Sequence, residues 1–161
     1  MKIYLAADHA GFALKHALIQ YIGTLGHDVE DCGAFALDPD DDYPDFIGAC
    51  ARKVAEAGGD ARGIVIGGDG QGEGMVANRV KGVRAAVFYG GAHAPGGLDR
   101  EGHPAVDEYD VVRLSRKHND ANVLSLGARF ISGEQAVGAL RVFLDTPFSN
   151  DARHARRIAK F

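Results

Sequence analysis

Five short apolar runs, each followed by a stretch of helical periodicity, constrain this chain more than any other feature. The runs "KIYLAA" (2–7), "HDVEDCG" (27–33), "RGIVIG" (62–67), "VRAAVFY" (83–89) and "ANVLSLGA" (121–128) have strand length, and most are nearly unbroken in apolar residues. A strand apolar on both sides needs cover on both faces, which is the condition of a parallel sheet between two helical layers. The intervening patterns supply those layers. Phe12–Leu25 carries Leu14, Leu18, Ile22 and Leu25 on one stripe. A second helix starts near Pro44 and ends before "AGGDA" at about Ala57, and a third runs from the loop after residue 67 to about Val80. Helices over about 106–117, 133–145 and 149–160 complete the chain, the last two separated by Pro147. No internal repeat or low-complexity linker interrupts the pattern, so residues 1–161 are expected to form a single domain.

Right-handed crossovers place every strand C-terminus on one edge, and that edge is where such sheets bind ligands. The loops expected there are 7–11, 32–43, 67–73, 89–104 and 127–132. Other classes of function are disfavoured by composition. A net charge of −4 argues against a nucleic-acid partner. No apolar run reaches membrane-spanning length, and residues 1–7 lack the pattern of a signal peptide. Only Cys32 and Cys50 are present, at a spacing that matches no zinc motif or disulfide framework, so a cytoplasmic location is expected.

The loop "VIGGDGQGEG" (65–74) holds five glycines and two acids, Asp69 and Glu73. It fails the G-x-G-x-x-G fingerprint, because the sixth residue from Gly68 or Gly70 is Glu73 or Met75, and it lacks the lysine of a P-loop. What remains is a turn whose backbone N–H groups hold a small anion or a developing oxyanion, or a turn that only lets the following helix pack. Asp8 and His9 end the first strand, either as a ligand-edge pair or as a helix cap beside an exposed histidine. "RHARR" (153–157) puts Arg153 and Arg157 on one helical face, suited to clamping a phosphate or to lining a solvated surface. "HND" (118–120) precedes the fifth strand, on the edge opposite the ligand loops.

Taken together, "DHAGF", "DYPDF" (42–46), the glycine loop ending in "ANRV" (77–80), "HNDANVLSLGAR" (118–129) and "RHARRI" (153–158) resemble the ribose-5-phosphate isomerase B family, which includes the galactose-6-phosphate isomerase subunits. The match is collinear over nearly the whole chain. The resemblance implies an α/β fold: a three-layer α/β/α sandwich on a five-stranded parallel, Rossmann-like sheet, with the C-terminal helix reaching a partner subunit. It also implies a cofactor-free, metal-free aldose–ketose isomerase of sugar phosphates, by default ribose 5-phosphate. Its assembly would be a homodimer or dimer of dimers with shared active sites, which gives "HND" a role in the neighbour's site. By position, His118 matches the ring-opening residue, Asp8 and His9 contacts to the sugar and its phosphate end, and Tyr43 a pocket residue. Asn119 matches a residue near the enediolate, and Arg129, Arg153 and Arg157 match phosphate-binding positions.

The chain departs from that family in two places. The cysteine base that many members carry at the end of the third strand is here Gly67, while Glu73 falls where a second branch places a glutamate base. Asp69 replaces the usual Ser or Thr of the loop, and it is the rival base. Residues 90–104 form a longer connection than is usual, an inserted loop carrying His93, Asp99, Arg100 and His103. The expected mechanism has Glu73 moving the carbon-bound proton, His118 opening the ring, and amides around Gly68, Gly70 and Gly72 stabilising the enediolate. Two other readings stay open: a sugar-phosphate binder that lost catalysis with the cysteine, and metal chemistry by His93 and His103 with Asp99 and Glu101.

Overall fold

The structure, a computed structural model, describes residues 1–92, 94–98 and 102–160. Five strands alternate with helices: β1 (Lys2–Ala7), α1 (Phe12–Thr24), β2 (Asp28–Asp31), α2 (Tyr43–Ala57), β3 (Ala61–Gly67), α3 (Gln71–Ala77), β4 (Ala85–Phe88), α4 (Asp110–Asn119), β5 (Val123–Gly127), α5 (Gly133–Asp145) and α6 (Ala152–Ile158). The strands form one all-parallel sheet in the order β2-β1-β3-β5-β4. The alternation read from the sequence therefore gives the expected α/β architecture, in which β5 enters between β3 and β4.

Side-chain alternation along the strands builds two cores. Leu5, Ile64 and Leu124 are in register across the central strands and pack with Leu18 and Ile22 of α1, Val112 of α4, and Ala139, Leu140 and Phe143 of α5. The next row, Ala6 and Val65, faces the other way and packs with Ile47, Cys50, Ala51 and Val54 of α2 and Ala77 of α3. Burying one aliphatic side chain of this kind stabilises by about 1.5–3 kcal/mol. The two faces make the three layers: the crossovers through α1 and α4 lie on one face and those through α2 and α3 on the other, as a single handedness requires for this strand order.

Local chemistry sets the ends of the helices. α4 begins at Asp110, later than the periodicity suggests, because the Asp110 carboxylate accepts from the N–H groups of Val106 (2.6 Å) and Asp107 (3.3 Å) and ties the preceding segment into a turn. α3 ends at Ala77, before Val80, where the Asn78 side chain bonds the N–H and C=O of Ala85 (2.7 and 3.0 Å). Those bonds satisfy β4 on its unpaired side and divert the chain from helix. α5 starts with a capping box made by Ser132 and Gln135. α6 docks on α4 through buried His154, whose ring lies 4.3 Å from that of His118 and whose Nδ1 bonds Ser149 Oγ at 2.8 Å.

β1 leads left to β2 and β3 leads right to β4, so the order reverses between β1 and β3. The loops leaving those two strands diverge there and open a crevice at their C-terminal ends, the place where open α/β sheets bind ligands.

Candidate active site

A cleft of about 490 Å³ occupies that crevice, lined by Asp8, His9, Ala10, Tyr43, Gly68, Asp69, Gly72, Glu73, Arg129 and Phe130. Its walls come from four loops. Asp8 and His9 follow β1. The Asp8 carboxylate is buried and accepts from the N–H groups of Ala10 (2.9 Å) and Gly11 (3.1 Å), so it shapes the entry to α1 while lining the cleft. Asp8 thus closes a turn ahead of α1 without capping it, the N-cap being Gly11. Tyr43 opens α2 and lies so close to Gly72 that a Cβ there would come within 2.8 Å of its ring and hydroxyl.

The glycine loop supplies the floor. Gly70 has φ +77°, a left-handed conformation that favours glycine, and its carbonyl accepts from buried Ser125 Oγ at 2.6 Å. The loop is joined to the end of β5 by Ala128 N–H to Gly67 O (2.8 Å) and Arg129 N–H to Gly68 O (3.0 Å). The Arg129 guanidinium packs over Gly68, where a Cβ would stand 3.2 Å from it. A cation is thereby held over the loop that carries the two acids.

The acids differ in environment. Glu73, in the first turn of α3, is 3% exposed, its carboxylate folds back over Gly67, and its Oε2 is buried without a hydrogen-bond partner among the described residues. Burial pushes its pKa up from the ordinary value of 4.5, and the charges of Asp8 and Asp69 add to the rise; its own N–H and that of Gly70 pull the other way. Asp69 is exposed, so its charge contributes less to the rise than burial does. Asp69 instead accepts from Gln71 N–H at 2.9 Å, closing a turn into α3. Glu73 is therefore a buried carboxylate with one unsatisfied oxygen, whereas Asp69 is a solvated turn residue.

His118 and Asn119 at the end of α4, and Arg153 and Arg157 on α6, do not line this cleft. They lie at the opposite end of the sheet, where Asn119 borders a second, more apolar cleft of about 500 Å³ beside β4. One chain therefore brings together Asp8, His9, Tyr43, Gly68, Asp69, Gly72, Glu73 and Arg129, with Gly70 in the loop beneath them, and leaves His118, Asn119, Arg153 and Arg157 apart. Of the inserted loop, His93, Asp99, Arg100 and Glu101 lie outside the described residues. Its described part is tied by Leu98 N–H to His103 O at 2.7 Å.

Sequence reasoning missed two members of the site. Phe130 follows Arg129 and is 63% exposed at the cleft rim. Asp41, in the loop after β2, stands behind His9: its Oδ1 lies 2.7 Å from His9 Nδ1 and accepts from His9 N–H at 3.1 Å. The acidic run "DPDDD" (38–42) was visible, but which of its carboxylates turns inward was not. Asp8, His9 and Asp41 gather ligand-type atoms within 4.8 Å of one another. His9 Nδ1 and Asp41 Oδ1 are spent on each other, and an Asp8 oxygen is spent on two amides, so we assign no cation there.

The family model described as Ribose/Galactose Isomerase matches residues 3–95 and 105–161. The ribose-5-phosphate isomerase B of Mycolicibacterium paratuberculosis is 39% identical over 159 residues, covering 98% of this chain and 87% of that protein. Among solved structures, ribose-5-phosphate isomerase B from Mycoplasma genitalium with bound ribulose-5-phosphate aligns at a TM-score of 0.84 and 34% identity, over 99% of this chain and 92% of that one. The enzyme from Clostridium thermocellum aligns at 0.83 and 35%, over 99% and 94%.

Proposed function

This chain belongs to the ribose/galactose isomerase family, and on that premise we propose that it interconverts ribose 5-phosphate and ribulose 5-phosphate, with Glu73 as the base. The observation that carries the assignment is the Glu73 carboxylate: buried, with an unpartnered oxygen, its pKa raised, at the head of a cleft flanked by His9 and Arg129. A base with a raised pKa is nearer the optimum for proton transfer at neutral pH.

In this reading His118 of a second copy opens the furanose ring to the aldehyde. Glu73 takes the proton from C2, the electrons pass to the C1 carbonyl oxygen, and the enediolate forms over the glycine loop. Glu73 then returns the proton to C1 as the C1–C2 double-bond electrons take it up, the O2–H electrons form the C2 carbonyl, and the proton lost from O2 is taken up by the O1 oxyanion, which gives the ketose. Stabilisation of the enediolate falls on the backbone N–H groups around Gly68, Gly70 and Gly72. An oxyanion donor of this kind is worth about 3 kcal/mol. Asn119 assists beside the enediolate. Asp69 assists proton exchange between the sugar oxygens when it is itself protonated.

The phosphate sits at the far end of the sugar, held by His9 and Arg129 of one chain and by Arg153 and Arg157 of the other. A homodimer is the smallest assembly that completes the site. Support for it comes from the separation of the predicted groups: His118, Asn119, Arg153 and Arg157 are on one end of the sheet and the cleft is on the other. The inserted loop 90–104 is assigned to contacts at the cleft rim or between subunits.

The test is a rate panel of four-, five- and six-carbon aldose and ketose phosphates, ranked by kcat/KM and run beside solvent deuterium incorporation. Ribose 5-phosphate is expected to rank first. A higher rank for a four- or six-carbon sugar would reassign the substrate, and binding without deuterium uptake from any of them would make the protein a sugar-phosphate binder.

A further inference from the structure

We propose that Asp41 is a positioning residue that keeps His9 charged and oriented for the substrate's phosphate. The proposal rests on the reading of the cleft as a sugar-phosphate site. Asp41 does not line the cleft; it stands behind His9, 32 positions away in sequence, with its side chain 5% exposed while that of His9 is 32% exposed. One carboxylate oxygen grips His9 twice, at the backbone N–H (3.1 Å) and at Nδ1 (2.7 Å). The other, Oδ2, is buried with no hydrogen-bond partner among the described residues.

That arrangement has two consequences. Engaging Nδ1 fixes the ring and leaves Nε2 as its remaining polar atom, on a residue that lines the cleft. A buried carboxylate with one unsatisfied oxygen is also costly unless a cation compensates it, and His9 is the group bonded to it. The pair is therefore most stable with His9 protonated. The groups facing His9 agree in balance: the bond to Asp41 raises its pKa above 6.5 against the pull of desolvation, the charges of Asp8 and Asp41 add to the rise, and Arg129 opposes it. Glu73, Asp69 and Tyr43 complete the surroundings across the cleft.

The pairing matters because of the substrate's own ionisation. A sugar phosphate loses its second proton near pH 6, about where an ordinary histidine would lose its charge. An unassisted His9 would be turning neutral as the phosphate became a dianion. Asp41 offsets this mismatch from a position where burial and the intervening imidazolium shield the phosphate from its own negative charge.

The experiment compares the full-length protein with Asp41→Asn, and with Asp41→Ser as a second variant of different volume. The His9 ring is titrated by NMR with and without inorganic phosphate, and KM and kcat for ribose 5-phosphate are followed against pH. In both variants the His9 pKa is expected to fall towards 6.5. KM above neutral pH should rise about tenfold, the ordinary worth of a charge-assisted hydrogen bond, with kcat nearly unchanged. Asp41→Glu should restore part of the loss. An unchanged His9 pKa, or a fall in kcat at constant KM, would overturn the proposal. Should the protein not turn over ribose 5-phosphate at all, the sugar-phosphate reading fails, while the His9 titration and phosphate affinity still decide the role of Asp41.

Discussion

The Glu73 carboxylate fills the space that a side chain at position 67 would need: a Cβ added to Gly67 would lie 2.7 Å from Oε2 and closer still to Oε1. The two positions exclude each other sterically. A chain with a side chain at 67 cannot keep a glutamate folded in this way, and this chain, with glycine, can.

Gly67→Ala follows directly from that exclusion. Gly67 is not among the glycines with positive φ, so alanine fits the backbone and the conflict is confined to the Glu73 side chain. The carboxylate should swing out of its site. With Glu73 as base, kcat should fall by about 10²–10⁴ while the melting temperature changes little. Near-normal turnover in a folded Gly67→Ala protein would remove Glu73 from its assigned role.

Glu73→Gln should separate activity from stability. The pKa of Glu73 is raised on folding from 4.5, so the folded state holds this proton more tightly than the unfolded chain does. The associated stability is present below 4.5 and is lost as pH rises through the raised value. Glutamine removes that loss. The variant should melt a few degrees higher than the parent near pH 8, show no such gain near pH 4, and lose isomerase activity by about 10²–10⁴. Asp69→Asn, by contrast, should retain most of the activity, because exposed Asp69 acts chiefly on the turn into α3.

Complementation between inactive variants tests the shared site. Glu73→Gln and His118→Ala are each expected to be inactive alone. If His118 serves a neighbouring chain, mixing and reassembling the two proteins restores activity, because one site of each hybrid dimer is intact. No recovery, with hybrid formation verified by mass, would show that His118 does not serve a neighbouring chain's site.

Lys15→Met probes what holds the floor of the Asp41 loop. Lys15 is fully buried, and its Nζ donates to both oxygens of Asp31 (2.7 and 2.9 Å) and to Ala34 O (2.6 Å), just where the chain leaves β2. Removing the ammonium leaves a half-buried carboxylate and a buried carbonyl without their cation. Unfolding free energy should fall by about 2–3 kcal/mol, read by denaturant titration. A loss below about 0.5 kcal/mol would assign the pair to the solvent-screened class.

The sequence by itself determined the layers and the chemistry on offer. Nearly continuous apolar strands allow only a sheet covered on both faces, and helix periodicity between them supplies the cover, because both signals are local and repeat every few residues. The motifs, with Gly67 in place of cysteine and Glu73 one turn into the next helix, pointed to the family and its base. Tertiary structure alone decided the rest. It put β5 inside β4, folded Glu73 back over Gly67 so that burial, more than the charge of Asp69, raises its pKa, and chose Asp41 from an acidic run to meet His9. It also set His118 and Arg153 on the far end of the sheet from the cleft. These outcomes depend on strand order, on excluded volume and on contacts between residues tens of positions apart. Such contacts are fixed by how the layers pack, and no local pattern encodes them.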